Sequence, residues 1–130
     1  MTEGLTAMKR ILVVEDGSTM RLFYRDVLEK AGFHVEEAAN GVEGLERAML
    51  QSFDMAIVDV NMPKMDGYEM VRHFRQEPEL KSLPVITIST EADEKDAARA
   101  YAAGANFYIV KPANPDLLAR VARLLTGAPT

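Results

Sequence analysis

The chain contains no cysteine in its 130 residues. That excludes disulfides, thiolate nucleophiles and cysteine-ligated metals, and it suits a reducing compartment. Histidine is scarce as well: His34 and His73 are the two present. Neither has a sequence-local partner, and no role is assigned to them. No Lys/Arg-rich run occurs and the formal charge is -5, which disfavours nucleic acid as a ligand because a sequence-independent grip needs a basic stripe; a mixed-charge face still suits another protein. No apolar run approaches the roughly 18 residues of a membrane span, and residues 1–7 lack the basic start and apolar stretch of an export signal. The expectation is a soluble, cytoplasmic protein with no membrane insertion. What is present, 48% apolar and 27% charged residues, has the make-up of one globular domain, which at this size buries roughly two-thirds of its unfolded surface.

Short runs rich in Val, Ile and Phe alternate with segments of helical periodicity, the pattern of βα units that feed a parallel sheet. Strands are expected at 10–14, 33–38, 55–58, 85–88 and 106–110. They are mostly uninterrupted by charge, as befits strands covered by helices on both faces. A first helix carries Met20, Phe23, Val27, Leu28 and Ala31 at core spacing with Gly32 as its C-terminal signal, and a last one carries Leu117, Leu118, Val121, Leu124 and Leu125 after Asn114-Pro115, which reads as N-cap and first turn. Between them, 42–50 offers Val42, Leu45 and Met49, and 68–76 offers Met70, Val71 and Phe74. The segment 94–103 differs, with Ala97, Ala98, Ala100, Ala102 and Ala103 and only Tyr101 as a large side chain. Alanine favours helix but buries little area, so this helix is expected to be weakly anchored and the most free to shift.

Three apolar runs end on charged residues. Ile11-Leu12-Val13-Val14 meets Glu15-Asp16, Met55-Ala56-Ile57-Val58 meets Asp59, and Phe107-Tyr108-Ile109-Val110 meets Lys111-Pro112. Ligands of an open parallel sheet collect at the carboxyl ends of its strands, where Ser89-Thr90 would also lie. Clustered carboxylates repel, so either one takes a proton or a cation neutralises them. A hard cation with oxygen ligands, Mg²⁺ above all, fits a site that also handles a phosphoryl group. Asp59 can then attack as a carboxylate nucleophile, Lys111 can offset charge on the transferring oxygens, and Ser89 can donate to them. Each residue also has a bland reading. Asp59 alone is a strand-end turn residue, Glu15-Asp16 or Ser18 and Thr19 can cap the following helix, and Tyr108 can be a core aromatic. Asp66-Gly67 reads as turn chemistry outside the site, and Met20, Met49 and Met70 read as packing.

Taken together, Val14-Glu15-Asp16, Ser18-Thr19-Met20-Arg21, Asp59 with Asn61-Met62-Pro63 and Met65-Asp66-Gly67, Leu83-Pro84-Val85, Glu91-Ala92, Ala103-Gly104-Ala105 and Tyr108-Ile109-Val110-Lys111-Pro112 resemble the receiver domain of response regulators, most closely the stand-alone chemotaxis response regulator of two-component signalling. The resemblance covers about residues 9–125. It implies a flavodoxin-like, doubly wound, five-stranded parallel sheet of order 2-1-3-4-5 with five helices, at 9–126, between flexible tails at 1–8 and 127–130. It implies that Asp59 is the phosphoacceptor, served by Ser89 and Lys111. Asp16 and Asp59 would ligate Mg²⁺ directly with the Asn61 backbone carbonyl, and Glu15 would act through water. The donor implied is a phosphohistidine of a sensor histidine kinase or phosphotransfer protein.

Ser89 and Tyr108 would be the switch, remodelling the face of the fourth helix, fifth strand and fifth helix for a downstream protein, in chemotaxis or a related pathway. Asn61, Thr90 and Glu91 would tune the phosphate lifetime, and Lys111-Pro112 would be a cis peptide. A monomer that promotes its own phosphorylation and dephosphorylation, with no separate substrate, is expected. The chain departs from the chemotaxis protein at Gly17, which replaces an aromatic residue, and at Thr90, where the family usually has a small one. A phosphatase of the haloacid-dehalogenase type also uses a strand-end Asp with Mg²⁺, but wants a second Asp two residues later. In Asp16-Gly17-Ser18 that place holds serine. An unphosphorylated adaptor is the third reading; it would not need the complete set of side chains.

Overall fold

The computed structural model describes residues 8–129. The expected tails at 1–8 and 127–130 fall outside the described residues at 1–7 and at 130. The chain runs β1 (Arg10–Val14), α1 (Ser18–Lys30), β2 (His34–Ala38), α2 (Gly41–Leu50), β3 (Met55–Asp59), α3 (Gly67–Gln76), β4 (Val85–Ser89), α4 (Glu94–Ala103), β5 (Phe107–Val110) and α5 (Pro115–Thr126). The strands form one parallel sheet in the order β2-β1-β3-β4-β5. Alternate residues feed opposite layers, as the period of two requires. Leu12, Val14, Ala56 and Val58 pack with Ala48 of α2, Met70 and Phe74 of α3 and Ala100 of α4. Ile11, Val13, Ile57 and Ile88 pack with Tyr24 and Leu28 of α1 and Leu118 and Val121 of α5. Among the described residues, no helix is long and apolar enough to cross a membrane.

Several local expectations are corrected. β3 and β4 each run one residue further than apolar content suggests, because Asp59 pairs with Ile88 and Ser89 with Val110 in the ladder. Phe33 is outside β2, its N–H donating to the Leu28 carbonyl at 3.0 Å as the chain leaves α1. Neither Ser18 nor Thr19 caps α1; the N-cap is Gly17, which has no side chain to do so. Asp66 is the N-cap of α3, its carboxylate accepting from the Glu69 N–H at 2.9 Å. Asn114 caps α5 with Pro115 in the first turn, as expected.

Val42, Met49 and Leu124, assigned to the core by spacing, are exposed. The cause in α2 is close packing: its buried residues are Gly41, Gly44 and Ala48. A Cβ on Gly44 would lie 2.5 Å from Met70 Cε and 2.9 Å from Val14 Cγ2. The helix therefore turns its smallest residues inward, with Leu45 half-buried beside them, and leaves Val42, Met49 and Leu50 exposed. His34 does have a neighbour in sequence, since its Nε2 lies 2.7 Å from Glu36 Oε2 across the same face of β2.

The alanine-rich α4 buries only Ala100 and Ala103, in keeping with weak anchorage by area. Its C-terminal end is held otherwise. The Arg75 guanidinium donates twice to the Gly104 carbonyl, at 3.0 and 2.8 Å, and once each to the carbonyls of Leu80, Lys81 and Leu83 and to Asn106 Oδ1. Gly104 accommodates the helix exit with φ 114, a left-handed conformation that glycine tolerates.

At the start of α3, a Cβ on Gly67 would lie 2.6 Å from the Asp59 carbonyl oxygen and 2.7 Å from Val60 Cα. Those neighbours are backbone and cannot rotate away. Gly67→Ala is therefore expected to cost about 1–3 kcal/mol through overpacking, read as a lower urea midpoint at unchanged slope. Leu124→Gln on the open face of α5 should stay within about 0.5 kcal/mol of the parent; equal midpoints for both variants would contradict the packing at Gly67.

Candidate functional site: an acidic pocket at the strand ends

β1 lies between β2 on one side and β3 on the other. The chain reverses its winding there, leaving a crevice at the carboxyl ends. Register carries the charged residues into it. Val14 pairs with Val58, so Glu15-Asp16 leave the sheet beside Asp59. Lys111 leaves β5 with its N–H on the Ser89 carbonyl at 2.7 Å, and a cis Lys111-Pro112 bond follows it.

One carboxylate oxygen from each of Glu15, Asp16 and Asp59 lies within 4.8 Å of the others. Lys111 Nζ is 2.9 Å from Asp59 Oδ1 and 3.5 Å from Glu15 Oε1. The Asn61 N–H donates to Asp59 Oδ1 at 3.1 Å, and the Gly17 N–H donates to Glu15 Oε2 at 2.9 Å. Glu15 and Asp59 are 2% and 1% exposed, whereas Asp16 is open to solvent. The electrostatics follow from this crowding. Burial pushes the Glu15 carboxyl up to about 7; the Gly17 N–H opposes the rise and the Asp59 charge adds to it. Burial works to lower the Lys111 pKa, but the bond to Asp59 and the charges of Asp59 and Glu15 outweigh it, so the ammonium is held above its ordinary value. Arg21 braces the loop from outside the pocket, donating from Nη1 to the Glu15 carbonyl at 2.8 Å and from Nε to Glu37 Oε1 at 2.8 Å.

Around these four residues lies a second ring of predicted positions. Ser89 is fully buried and its Oγ accepts from the Glu91 N–H at 3.1 Å. Thr90 is exposed; its N–H and its hydroxyl donate to Asn61 Oδ1 at 3.2 and 3.3 Å, joining the loop after β4 to the loop after β3. The half-buried Tyr108 donates its hydroxyl to the Glu91 carbonyl. Tyr68 does the same to the Asp96 carbonyl at 3.0 Å. A groove of about 450 Å³ runs from Ser89 past Asn61 and Asp66 to Tyr68, Asp96 and Arg99.

Sequence reading missed Gly67, on which the Asp59 backbone rests, and Tyr24, a buried phenol 1% exposed in the layer beneath the pocket. The i, i+4 spacing of Met20, Tyr24 and Leu28 was the available signal for the latter.

A small hard cation fits this pocket. Among the described residues, Glu15 Oε1 and Asp59 Oδ2 are buried without a hydrogen-bond partner, and three carboxylates lie near one ammonium. Such a surplus of oxygen donors and negative charge suits a divalent ion.

The response regulator receiver domain model matches residues 11–123. The chain is 40% identical over 104 residues to chemotaxis protein CheY-3 of Vibrio cholerae serotype O1, spanning 79% of this chain and 80% of that protein. Among solved structures, chemotaxis protein CheY4 of Vibrio cholerae is similar with a TM-score of 0.87 at 36% identity, covering 92% of this chain and 99% of that one. The receiver domain of sensor histidine kinase PA1611 from Pseudomonas aeruginosa, which has a magnesium ion coordinated in its active site cleft, has a TM-score of 0.86 at 28% identity over 93% of this chain and 99% of that one. A switch-point crevice, an acidic pocket with one lysine, and likeness along most of the chain agree: this protein belongs to the response regulator receiver domains of two-component signalling.

Proposed function

We propose that the chain is a chemotaxis-type response regulator that takes a phosphoryl group on Asp59 from a phosphohistidine of a sensor kinase or phosphotransfer protein. The observation that carries the reading is the Asp59 carboxylate itself. One oxygen lies 2.9 Å from Lys111 Nζ; the other is buried and unpaired beside Glu15. Asp59, Asp16 and the Asn61 carbonyl would hold Mg²⁺, with Glu15 acting through water, and the ion would supply charge neutralisation for the phosphoryl oxygens. The magnesium-bearing cleft of the PA1611 receiver supports that choice.

In the transfer, an Asp59 oxygen bonds to phosphorus as the bond from phosphorus to the donor imidazole nitrogen breaks, and the electron pair stays on the imidazole. Lys111 stabilises the charge on the transferred group from one side, and Ser89, on release from Glu91, donates from the other. Charge-assisted hydrogen bonds are worth roughly 1.5–3 kcal/mol each. Two of them approach the ~5.5 kcal/mol that moves a two-state equilibrium from 1:99 to 99:1. Ser89 and Tyr108 both engage Glu91, so a change at Ser89 has a short route to Tyr108 and the start of α4. The output is a downstream protein that reads the α4-β5-α5 face. Asn61, Thr90 and Glu91 set how long the signal lasts, and the Thr90 to Asn61 bonds restrict water at the mouth of the pocket.

With Mg²⁺ and acetyl phosphate the parent protein should take one phosphoryl group by intact mass, and Asp59→Asn should take none; a labelled Asp59→Asn would remove Asp59 as acceptor. Thr90→Ala should shorten the phosphorylated lifetime several-fold, since it opens access for water, and a longer lifetime would contradict that role. Glu15 provides a pH test. Its folded pKa, raised from 4.5 to about 7, means that stability owed to its neutral form is complete below pH 4.5 and is lost as pH rises through 7. Without divalent cations, Glu15→Gln should therefore melt higher than the parent at pH 8, with the gap closing towards pH 5. Mg²⁺ should stabilise the parent more than the variant.

A further inference from the structure

The side chain that the transfer leaves unused is Tyr24. Its ring sits in the layer between Val13, Ile57 and Ile88 of the sheet and Leu118 of α5, none of which has a polar side-chain atom. Among the described residues its hydroxyl has no hydrogen-bond partner. A buried orphan donor is costly and rarely kept without a partner, whether protein or water. Two further buried oxygens without a hydrogen-bond partner among the described residues, Glu15 Oε1 and Asp59 Oδ2, lie on the same side of the sheet: Glu15 and Asp59 follow Val13 and Ile57, which share the Tyr24 layer, by two residues each.

The placement has a simple origin. Helical side chains lean towards the N-terminus of their helix. α1 starts at Ser18, just after Glu15-Asp16-Gly17, so a tyrosine on its second turn is carried back under the pocket. Burial first, and then the charges of Glu15 and Asp59, hold the phenol above its ordinary pKa, in line with two carboxylates on its side of the sheet.

The counts of donors and acceptors match. A phenol offers one O–H, and the two carboxylate oxygens only accept once both groups are ionised. One water that accepts from Tyr24 and donates to Glu15 Oε1 and Asp59 Oδ2 would satisfy all three, in a polar setting that meets the usual need of a buried water for about three bonds. We propose that Tyr24 is a positioning residue of the phosphorylation site: through a shared buried water it orients the Glu15 and Asp59 carboxylates from below, before a cation arrives.

This rests on reading the pocket as a cation site and adds a residue to it. Such outer-sphere partners are typically worth 10–100-fold in metal affinity, and a link through water belongs at the lower end. The chain has four tyrosines and no tryptophan, so the near-ultraviolet tyrosine band is not masked by indole. Mg²⁺ should be titrated into the parent and into Tyr24→Phe, which removes only the hydroxyl. Binding would be followed by the backbone NMR shifts of Asp16, Asp59 and Asn61, and the tyrosine band by difference absorbance.

The expected result is a Mg²⁺-dependent tyrosine difference in the parent that is lost in Tyr24→Phe, with a Mg²⁺ midpoint about tenfold higher in the variant and a lower cation-free melting temperature. A variant that melts at or above the parent and keeps its Mg²⁺ midpoint would overturn the proposal, because an orphan hydroxyl of no use is better removed. A parent whose Asp16, Asp59 and Asn61 signals ignore Mg²⁺ would overturn the cation-site reading as well, whereas an unchanged variant beside a responsive parent overturns only the role of Tyr24.

Discussion

The pocket depends on holding three carboxylates together at the edge of a sheet whose interior is otherwise apolar. Glu15 and Asp59 are almost wholly buried, and moving such groups out of water is expensive unless charge and hydrogen bonds compensate. Compensation here is partial. Lys111 answers both, and one backbone N–H answers each, yet one oxygen of each stays without a bond. The raised Glu15 pKa is the visible sign of that deficit. A folded state that carries local repulsion at its site has affinity in reserve for whatever relieves it. The same feature that weakens the isolated domain suits a divalent cation.

The rest of the fold serves to make that crowding rigid. Parallel register delivers Glu15, Asp59, Ser89 and Lys111 to one edge from four different strands. Gly67 lets α3 press on the Asp59 backbone, and Arg21 ties the first loop to β2. The surroundings of Ser89 are looser by contrast. Exposed Thr90 is joined to Asn61 by two long hydrogen bonds, and exposed Glu91 to Tyr108 by one. The acidic pocket thus sits on the well-tied strand ends, and the loosely tied segment begins one residue after Ser89.

The sheet, its five helices and the three charged strand ends were legible because they depend on strong, short-range signals: apolar runs that stop at charge, and helical periodicity between them. Legibility failed where large apolar residues were equated with burial. In α2 the inward face is Gly41, Gly44 and Ala48, and Val42 and Met49 point out; only the closeness of Met70 and Val14 decides this, and both are distant in sequence. Tyr24 escaped notice because Phe23 and Val27 make an equally good apolar stripe one step around α1. The Gly17 N-cap broke the rule that a polar side chain starts a helix, since there Gly17 uses its N–H on Glu15 instead. The His34 to Glu36 pair was missed because neighbours in a strand are two residues apart, where a search for helical spacing does not look.

The two ends of α4 are tied by unequal means. Beyond Ala103, Arg75 grips the Gly104 carbonyl with two donors and three further carbonyls with another, one guanidinium joining the end of α3, the connector and the end of α4. At the other end the ties are two phenol hydroxyls, Tyr108 on Glu91 and Tyr68 on Asp96, and little buried area. Lifting the far end means breaking several bonds to a half-buried cation at once; lifting the near end means breaking one or two neutral ones. α4 is in mechanical terms a lever with its fulcrum at Gly104, and its free arm lies over the groove that leads to Ser89.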